Sequence, residues 1–330
     1  MKTVTLPAFT PKQLADAVAA ASSHLGAGEV VALPTETVYG LAADARRPEA
    51  VLKIFEAKER PFFDPLIVHI PDTGWLQRLT AIPENDVPLV ARLTERFWPG
   101  PLTLVLPRTE AVPDLVASGL PTVAIRQSAH PVFSAVVQAC GFPLAAPSAN
   151  RFGRISPTAA EHVESELGGR IPLIVDGGPT THGVESTIVA VANGRIEILR
   201  SGPVTREELE AFAPVVAGGV IAKPVAPGQL KSHYAPRTPL HIVEGKAEAP
   251  EVGRRAGLIA WQPRTGGLDA FAKVEYLSRQ GDLREAATRL FAVMRQMDGA
   301  GLDLILVEAV PEEGLGVAIM DRLRKAAYRE

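Results

Sequence analysis

Four polar clusters break the apolar runs of this chain, and their side chains suit the binding of anions and small polar molecules. Pro34-Thr35-Glu36-Thr37-Val38-Tyr39-Gly40 sets the hydroxyls of Thr35, Thr37 and Tyr39 directly after the apolar run Glu29-Val30-Val31-Ala32-Leu33. Such hydroxyls orient a ligand, or they merely cap the next element. Ala57-Lys58-Glu59-Arg60-Pro61 through Asp64 to His69 places two cations after a helix and a histidine in the next strand. A charged helix end and a satisfied core histidine are the bland alternatives. Thr122-Val123-Ala124-Ile125-Arg126 ends an apolar strand on an arginine, which needs an anionic partner if buried; a substrate carboxylate is one candidate. Ala146-Pro147-Ser148-Ala149-Asn150-Arg151 to Ser156-Pro157-Thr158 surrounds two cations with small polar groups, as phosphate and ribose contacts would, or as a surface loop before a helix would.

Other chemistries lack their residues. There is no G-x-G-x-x-G after a strand, no H-E-x-x-H and no G-x-S-x-G. The segment Gly178 to Glu185 approaches a phosphate-binding loop but has Val184 where lysine is required. The single cysteine, Cys140, excludes an intramolecular disulfide and a multi-thiolate metal site, and its apolar surroundings mark it as core.

The elements that must position these groups alternate between strand and helix. Helices are expected at Pro11 to Leu25, after a Thr10 cap, and at Pro48 to Lys58, Val87 to Phe97 and Thr205 to Phe212. Strands are expected at Glu29 to Leu33, Leu66 to Ile70, Leu102 to Leu106, Thr122 to Ile125, Leu144 to Ala146, Leu173 to Asp176, Ser186 to Val191 and Ile196 to Arg200. Many short strands in a mixed pattern predict an α/β fold built on a large twisted mixed sheet with flanking helices. The Pro- and Gly-rich stretch within 206–238 reads as a linker. Beyond it, strands at Ala256 to Trp261 and Leu304 to Glu308, with helices at Leu283 to Met297 and Val317 to Tyr328, predict a small second α/β domain over 239–330. The larger first part is then 1–205.

Hydrophobic residues make up 46% of the chain and charged ones 22%, which is globular rather than disordered composition. A formal net charge of −3 gives no general pull toward nucleic acid or anionic membrane. No apolar run is long enough to span a bilayer and no signal-peptide core opens the chain, so a cytoplasmic protein is expected.

The four clusters occur in one order and lead to Gly183-Val184-Glu185-Ser186-Thr187-Ile188 and Ile198-Leu199-Arg200. In this combination the chain resembles the threonylcarbamoyl-AMP synthases of the YrdC/Sua5 family. Pro34 to Gly40, Lys58 to Pro61, Ser148 to Asn150, Ser156 to Thr158 and Gly183 to Thr187 resemble the catalytic domain. Ala226 to Pro236 is similar to the linker of the long, Sua5-type members, and Gly314 to Leu323 to the end of their accessory domain. Two positions depart from the family pattern: Arg200-Ser201-Gly202, where Arg-Pro-Gly is expected, and Gln229-Leu230, where Met-Lys is commoner.

The resemblance implies a YrdC-like α/β twist followed by a Rossmann-like domain. It implies that L-threonine, bicarbonate or CO2 and ATP give threonylcarbamoyl-AMP and pyrophosphate, for the t6A modification of tRNA by a partner transferase complex. It places L-threonine on Thr35, Thr37, His69, Arg126, Ala146 and Ser186. ATP, with Mg2+, falls to Lys58, Arg60, Asp64, Thr122, Ser148, Asn150, Ser156, Arg200 and Tyr234. Lys58 and Arg60 then stabilise charge, no covalent nucleophile is needed, and Tyr234 reaches over the nucleotide as a lid. The competing readings are an RNA-binding module and a carbamoyl-adenylate enzyme with another substrate.

Overall fold

The computed structural model describes residues 1–216, 233–248, 250 and 253–328. The first helix shows how locally the chain is encoded. The Thr10 hydroxyl accepts from the backbone of Gln13, whose side chain returns to the backbone of Thr10, and Pro11 occupies the first turn. The helix accordingly spans Pro11–Gly26.

Eleven strands form the larger sheet. In chain order they are β1 (Val4–Pro7), β2 (Val31–Leu33), β3 (Gly40–Asp44), β4 (Ile67–His69), β5 (Leu102–Pro107) and β6 (Thr122–Arg126). There follow β7 (Leu144–Ala145), β8 (Leu173–Asp176), β9 (Thr187–Ala192), β10 (Arg195–Arg200) and β11 (Val215–Val216). Their spatial order is β1-β8-β2-β3-β7-β4-β6-β5-β9-β10-β11. Parallel pairs such as β4 with β6 and β5 with β9 alternate with antiparallel ones such as β2 with β3 and β5 with β6, so the sheet is mixed as expected.

Three strands of this sheet escape the pattern reading. Gly40-Leu41-Ala42-Ala43-Asp44 is poor in β-branched residues, yet it is fully buried and pairs with both β2 and β7. Its position inside the sheet, not its propensity, makes it a strand. β1 and β11 are the others, the two edge strands, beside β8 and β10.

Side chains alternate across the sheet. Val31 and Leu33 pack with Ala17, Ala21, Phe133 and Val136 on one face, whereas Ala32, Leu41 and Val68 pack with Ile54, Phe55, Leu93 and Phe97 on the other. Cys140 is half-buried at the end of the helix Pro131–Cys140 rather than sealed in the core, and burial raises its thiol pKa to about 11. The helix expected from Ser156 begins later, as Ala160–Leu167.

The second domain is a parallel sheet of β12 (Leu240–Val243), β13 (Ala256–Ala260), β14 (Lys273–Tyr276) and β15 (Leu304–Glu308), in the order β12-β15-β13-β14. The helices Leu283–Asp298 and Leu315–Ala327 complete its core. That core also takes in Val38, Ile155 and Val184 of the first domain and Tyr234 of the segment between the two. The domains therefore share one buried apolar seam. Of the expected linker, residues 206–216 belong to the first domain as the helix Arg206–Glu210 and β11, while 217–232, including Ala226 to Lys231, lie outside the described residues. No helix among the described residues is long and apolar enough to cross a membrane.

Candidate active site

The mixed sheet brings several strand ends to one place. His69 ends β4, Arg126 ends β6, and the two are register partners. Ser186 precedes β9, Arg200 ends β10, and the Pro34 to Val38 loop leaves β2. An open α/β sheet places its ligand sites at such ends. Here they enclose a cavity of about 50 Å³ lined by Thr35, Thr37, Arg60, His69, Arg126, Ala146, Ser148, Glu185, Ser186, Arg200, His233 and Tyr234, with Val38, Gly40, Ile67 and Pro147.

The Pro34 to Val38 loop is built by its own hydroxyls. The Thr35 hydroxyl donates to the carbonyl of Val38 at 2.6 Å and accepts from the backbone N–H of Thr37 and of Val38. Thr35 and Thr37 hydroxyls lie 2.9 Å apart, and Thr37 Oγ1 accepts from Nη1 of Arg126 at 3.0 Å. Tyr39 points away from the cavity, donating to the carbonyl of Gly178.

Arg126 has an anionic partner within the protein. Its guanidinium lies 2.7 Å from the carboxylate of Glu36 and donates to the carbonyl of Gly100. Glu36 also accepts from the Ser128 hydroxyl and the Ala129 N–H. Burial alone would raise the pKa of Glu36; Arg126 and Ser128 more than offset this and hold it at about 2. Glu36 was not among the residues singled out from sequence, because its partner is far along the chain.

His69 is buried, and its Nδ1 has no hydrogen-bond partner. Burial, with Arg126 nearby, lowers its pKa to about 3, so the ring is neutral. On the opposite wall Arg200 donates to the carbonyl and hydroxyl of Ser186, whose hydroxyl also meets Thr103. Gly202 is required there: a Cβ would stand 2.4 Å from the backbone nitrogen of Thr187. Ser201, the departure from the family pattern, leaves that close turn intact.

Lys58, Asp64, Thr122, Asn150 and Ser156 stand behind the wall or away from it. Lys58 is fully buried, and its ammonium donates to the carbonyls of Ser148 and Asn150, fixing the loop rather than facing the cavity. Burial, with Arg60 beside it, drives its pKa well below the ordinary lysine value. Asp64 pairs with Arg60 at 2.8 Å. Thr122 begins β6, at the other end of the strand from Arg126. Asn150 donates to the carbonyls of Arg151 and Arg154, leaving its Oδ1 without a partner. Ser156 donates to Glu185 at 2.5 Å.

Tyr234 also lines the cavity. It is 1% exposed, its ring stacks on Phe291 at 5.4 Å, and its hydroxyl has no hydrogen-bond partner. Its φ of 61° is left-handed, a strained state for a side-chain-bearing residue. Flanking backbone bonds, His233 N–H to Lys325 and Ala235 N–H to Gly153, hold it there.

Buried orphan atoms on His69 and Tyr234 and three buried guanidinium groups lining one cavity define an enzyme-like site for an anionic small molecule. Residues 23–202 match the Sua5/YciO/YrdC family model, described as "Telomere recombination", and residues 204–328 match "Threonylcarbamoyl-AMP synthase, C-terminal domain". The chain is 44% identical over 325 residues to the threonylcarbamoyl-AMP synthase of Bacillus subtilis, covering 94% of this chain and 92% of that protein. It is 43% identical over 330 residues to that of Pyrococcus abyssi, covering 94% of each. The crystal structure of P. abyssi Sua5 complexed with L-threonine matches it with a TM-score of 0.87 at 39% identity, over 98% of both chains. The chain belongs to the threonylcarbamoyl-AMP synthase family, in its two-domain form.

Proposed function

We propose that this enzyme makes L-threonylcarbamoyl-AMP and pyrophosphate from L-threonine, bicarbonate or CO2, and ATP. The observation that carries the reading is the convergence of Arg60, Arg126 and Arg200, all buried, with the hydroxyls of Thr35, Thr37 and Ser186 in one cavity of an otherwise acidic chain. Arg126 pairs with Glu36 and Arg60 with Asp64, and a threonine carboxylate and the nucleotide's phosphates would add anions that this buried cationic cluster favours.

In this reading Arg126 takes the threonine carboxylate, while Thr35, Thr37, Ser186 and the Ala146 carbonyl read the amine and side chain. His69, neutral and with Nδ1 unpaired, accepts a hydrogen bond from threonine. The amine adds to CO2 and loses a proton, giving a carbamate. A carbamate oxygen then bonds to the α-phosphorus, the bond to the bridging oxygen breaks, and pyrophosphate leaves. The chain contributes position and charge: Arg60 and Arg200 offset the phosphate charge, and Ser148 with Asn150 borders the nucleotide, braced by Lys58. Mg2+, arriving with ATP, would supply further neutralisation of the phosphate charge. Among the described residues no group of three or more His, Cys, Asp or Glu side chains stands together, so the nucleotide itself would supply most of its ligands.

A cavity of about 50 Å³ is far below the roughly 300 Å³ or more that ligand pockets offer. Tyr234 must therefore move out for ATP to enter and return to exclude water from the acyl-adenylate. A cytoplasmic site of action and delivery of the product to a tRNA-modifying transferase complete the reading. The test is to supply ATP, bicarbonate and each amino acid in turn and to measure pyrophosphate. Release that depends on threonine and bicarbonate is expected. Release independent of any amino acid would overturn the synthase reading.

A further inference from the structure

The second domain sends one charge into the wall of the cavity. Arg322, on the helix Leu315–Ala327, is completely buried, and its Nε donates to Oε2 of Glu185 at 2.9 Å. Glu185 lines the cavity, and its other oxygen accepts from the Ser156 hydroxyl. Arg322 also meets Asp321 at 2.8 Å through Nη1, and its guanidinium carbon lies 5.5 Å from the centre of the Tyr234 ring.

Burial pushes the pKa of Glu185 upward, but Arg322 and Arg200 more than offset this, so it stands as a carboxylate. A carboxylate there is unfavourable for a site that must admit phosphates, because like charges in a water-poor cavity repel strongly. It is tolerable only if balanced. Arg322 supplies that balance from the other domain, and the same group lies against Tyr234 of the cavity lining.

The pairing is not an obvious device for stability. Two buried ions rarely improve on apolar packing, and Nη2 of Arg322 is left without a partner. The seam around it is already fixed by other contacts. Arg295 of the helix Leu283–Asp298 pairs with Glu166 at 3.2 Å, and Thr288 of the same helix donates to the carbonyl of Thr181.

We infer that Arg322 is a positioning residue of the synthase site: it neutralises Glu185 so that the cavity accepts the nucleotide's phosphates, and it seats the ring of Tyr234 over them. The second domain is thus an electrostatic part of the active site, and the inference rests on the synthase reading only in naming the nucleotide.

The experiment compares the full-length chain with Arg322→Met, Glu185→Gln and the double variant. A non-hydrolysable ATP analogue and L-threonine are titrated separately, and thermal melts are recorded for each protein. Arg322→Met should weaken the analogue about tenfold or more, since a buried carboxylate left with Arg200 alone faces the phosphates, while threonine affinity changes less than about threefold. Adding Glu185→Gln should restore analogue binding most of the way, because no charge is then left unbalanced. Unchanged analogue binding in Arg322→Met overturns the inference, and so does a loss that Glu185→Gln fails to relieve, which would mark a merely structural role. If Arg322→Met alone does not fold, the comparison passes to Glu185→Gln. That protein should bind the analogue as well as or better than the parent chain, and a tenfold loss would overturn the inference. A parent chain that binds the analogue but releases no pyrophosphate would instead sink the synthase reading and leave this comparison standing.

Discussion

At the residue scale, Arg126 shows how an ion pair and a ligand contact are told apart. Its anionic partner in the structure is Glu36, and a threonine carboxylate would have to share the guanidinium with it. Arg126→Ala should destabilise the protein by about 3–5 kcal/mol, because it strands a buried carboxylate. Adding Glu36→Gln should recover most of that in a denaturation experiment. Threonine binding by calorimetry should stay at least about tenfold weaker in both variants, since a charge-assisted hydrogen bond contributes roughly 1.5–3 kcal/mol. A double variant that regains threonine affinity would remove Arg126 from the carboxylate role. Tyr234 allows a second separation. Its hydroxyl lacks a partner while its ring packs on Phe291, so Tyr234→Phe should be nearly neutral in melting temperature and Tyr234→Ala should cost about 3–5 kcal/mol. Equal losses in the two would make the hydroxyl, not the ring, the important part. Sequence made the residue types of this cavity legible, because hydroxyls and guanidinium groups at the ends of apolar strands stand out. It did not reveal their partners. Glu36 to Ser128 and Glu185 to Arg322 are long-range pairings that no local pattern encodes, and Lys58 reads equally as a phosphate ligand until its ammonium is seen on two carbonyls.

At the scale of elements, the strands bearing the site were legible because they are short apolar runs closed by Pro, Gly or charge. β3 was not, because its alanines give no strand signal and only pairing on both sides extends it. The same limit applies to the seam between domains. Gly183 has a φ of 70°, and a Cβ there would lie 2.3 Å from the carbonyl oxygen of Ala287 and 2.4 Å from the Cα of Thr288. The 181–185 loop can approach the helix Leu283–Asp298 only without a side chain, and this loop leads into Glu185 and Ser186 on the cavity wall. Gly194 has a similar φ of 68° but nothing within 4 Å of its would-be Cβ. Gly194→Ala should therefore show only the backbone cost, about 1 kcal/mol. Gly183→Ala adds a backbone clash, and should cost more than about 3 kcal/mol and lower pyrophosphate release with it. Thermal melts of the two variants, read beside their initial rates, make the check. Equal effects would mean that the seam yields without disturbing the cavity.

At the scale of the whole molecule, cations are concentrated in one enclosed place while the chain as a whole is acidic, and this has a consequence for stability against pH. His69 and His233 are both buried beside that cavity. Burial first, then the neighbouring guanidinium groups, lowers each pKa from 6.5 to about 3; for His233 the carboxylate of Glu185 opposes the shift without cancelling it. The unfolded chain therefore binds more protons than the folded one between pH 6.5 and about 3. The stability these histidines contribute is fully present above 6.5 and is lost as pH falls toward 3. Each can account for up to about 1.4 kcal/mol per pH unit in that window, so the pair contributes up to about 3 kcal/mol per unit, to which His162, lowered to about 4 by burial, adds. Glu36, held at about 2, adds its own loss only below the ordinary carboxylate range, from about pH 4.5 downward. Denaturant midpoints measured from pH 7.5 to 5 should thus decline from about pH 6.5, well before the carboxylates titrate. In His69→Gln the decline should be shallower, because one buried histidine fewer takes up a proton; His233 and His162 remain. A midpoint that stays flat from 7.5 to 5 would mean that His69 and His233 take up protons in the folded protein and do not carry this stability.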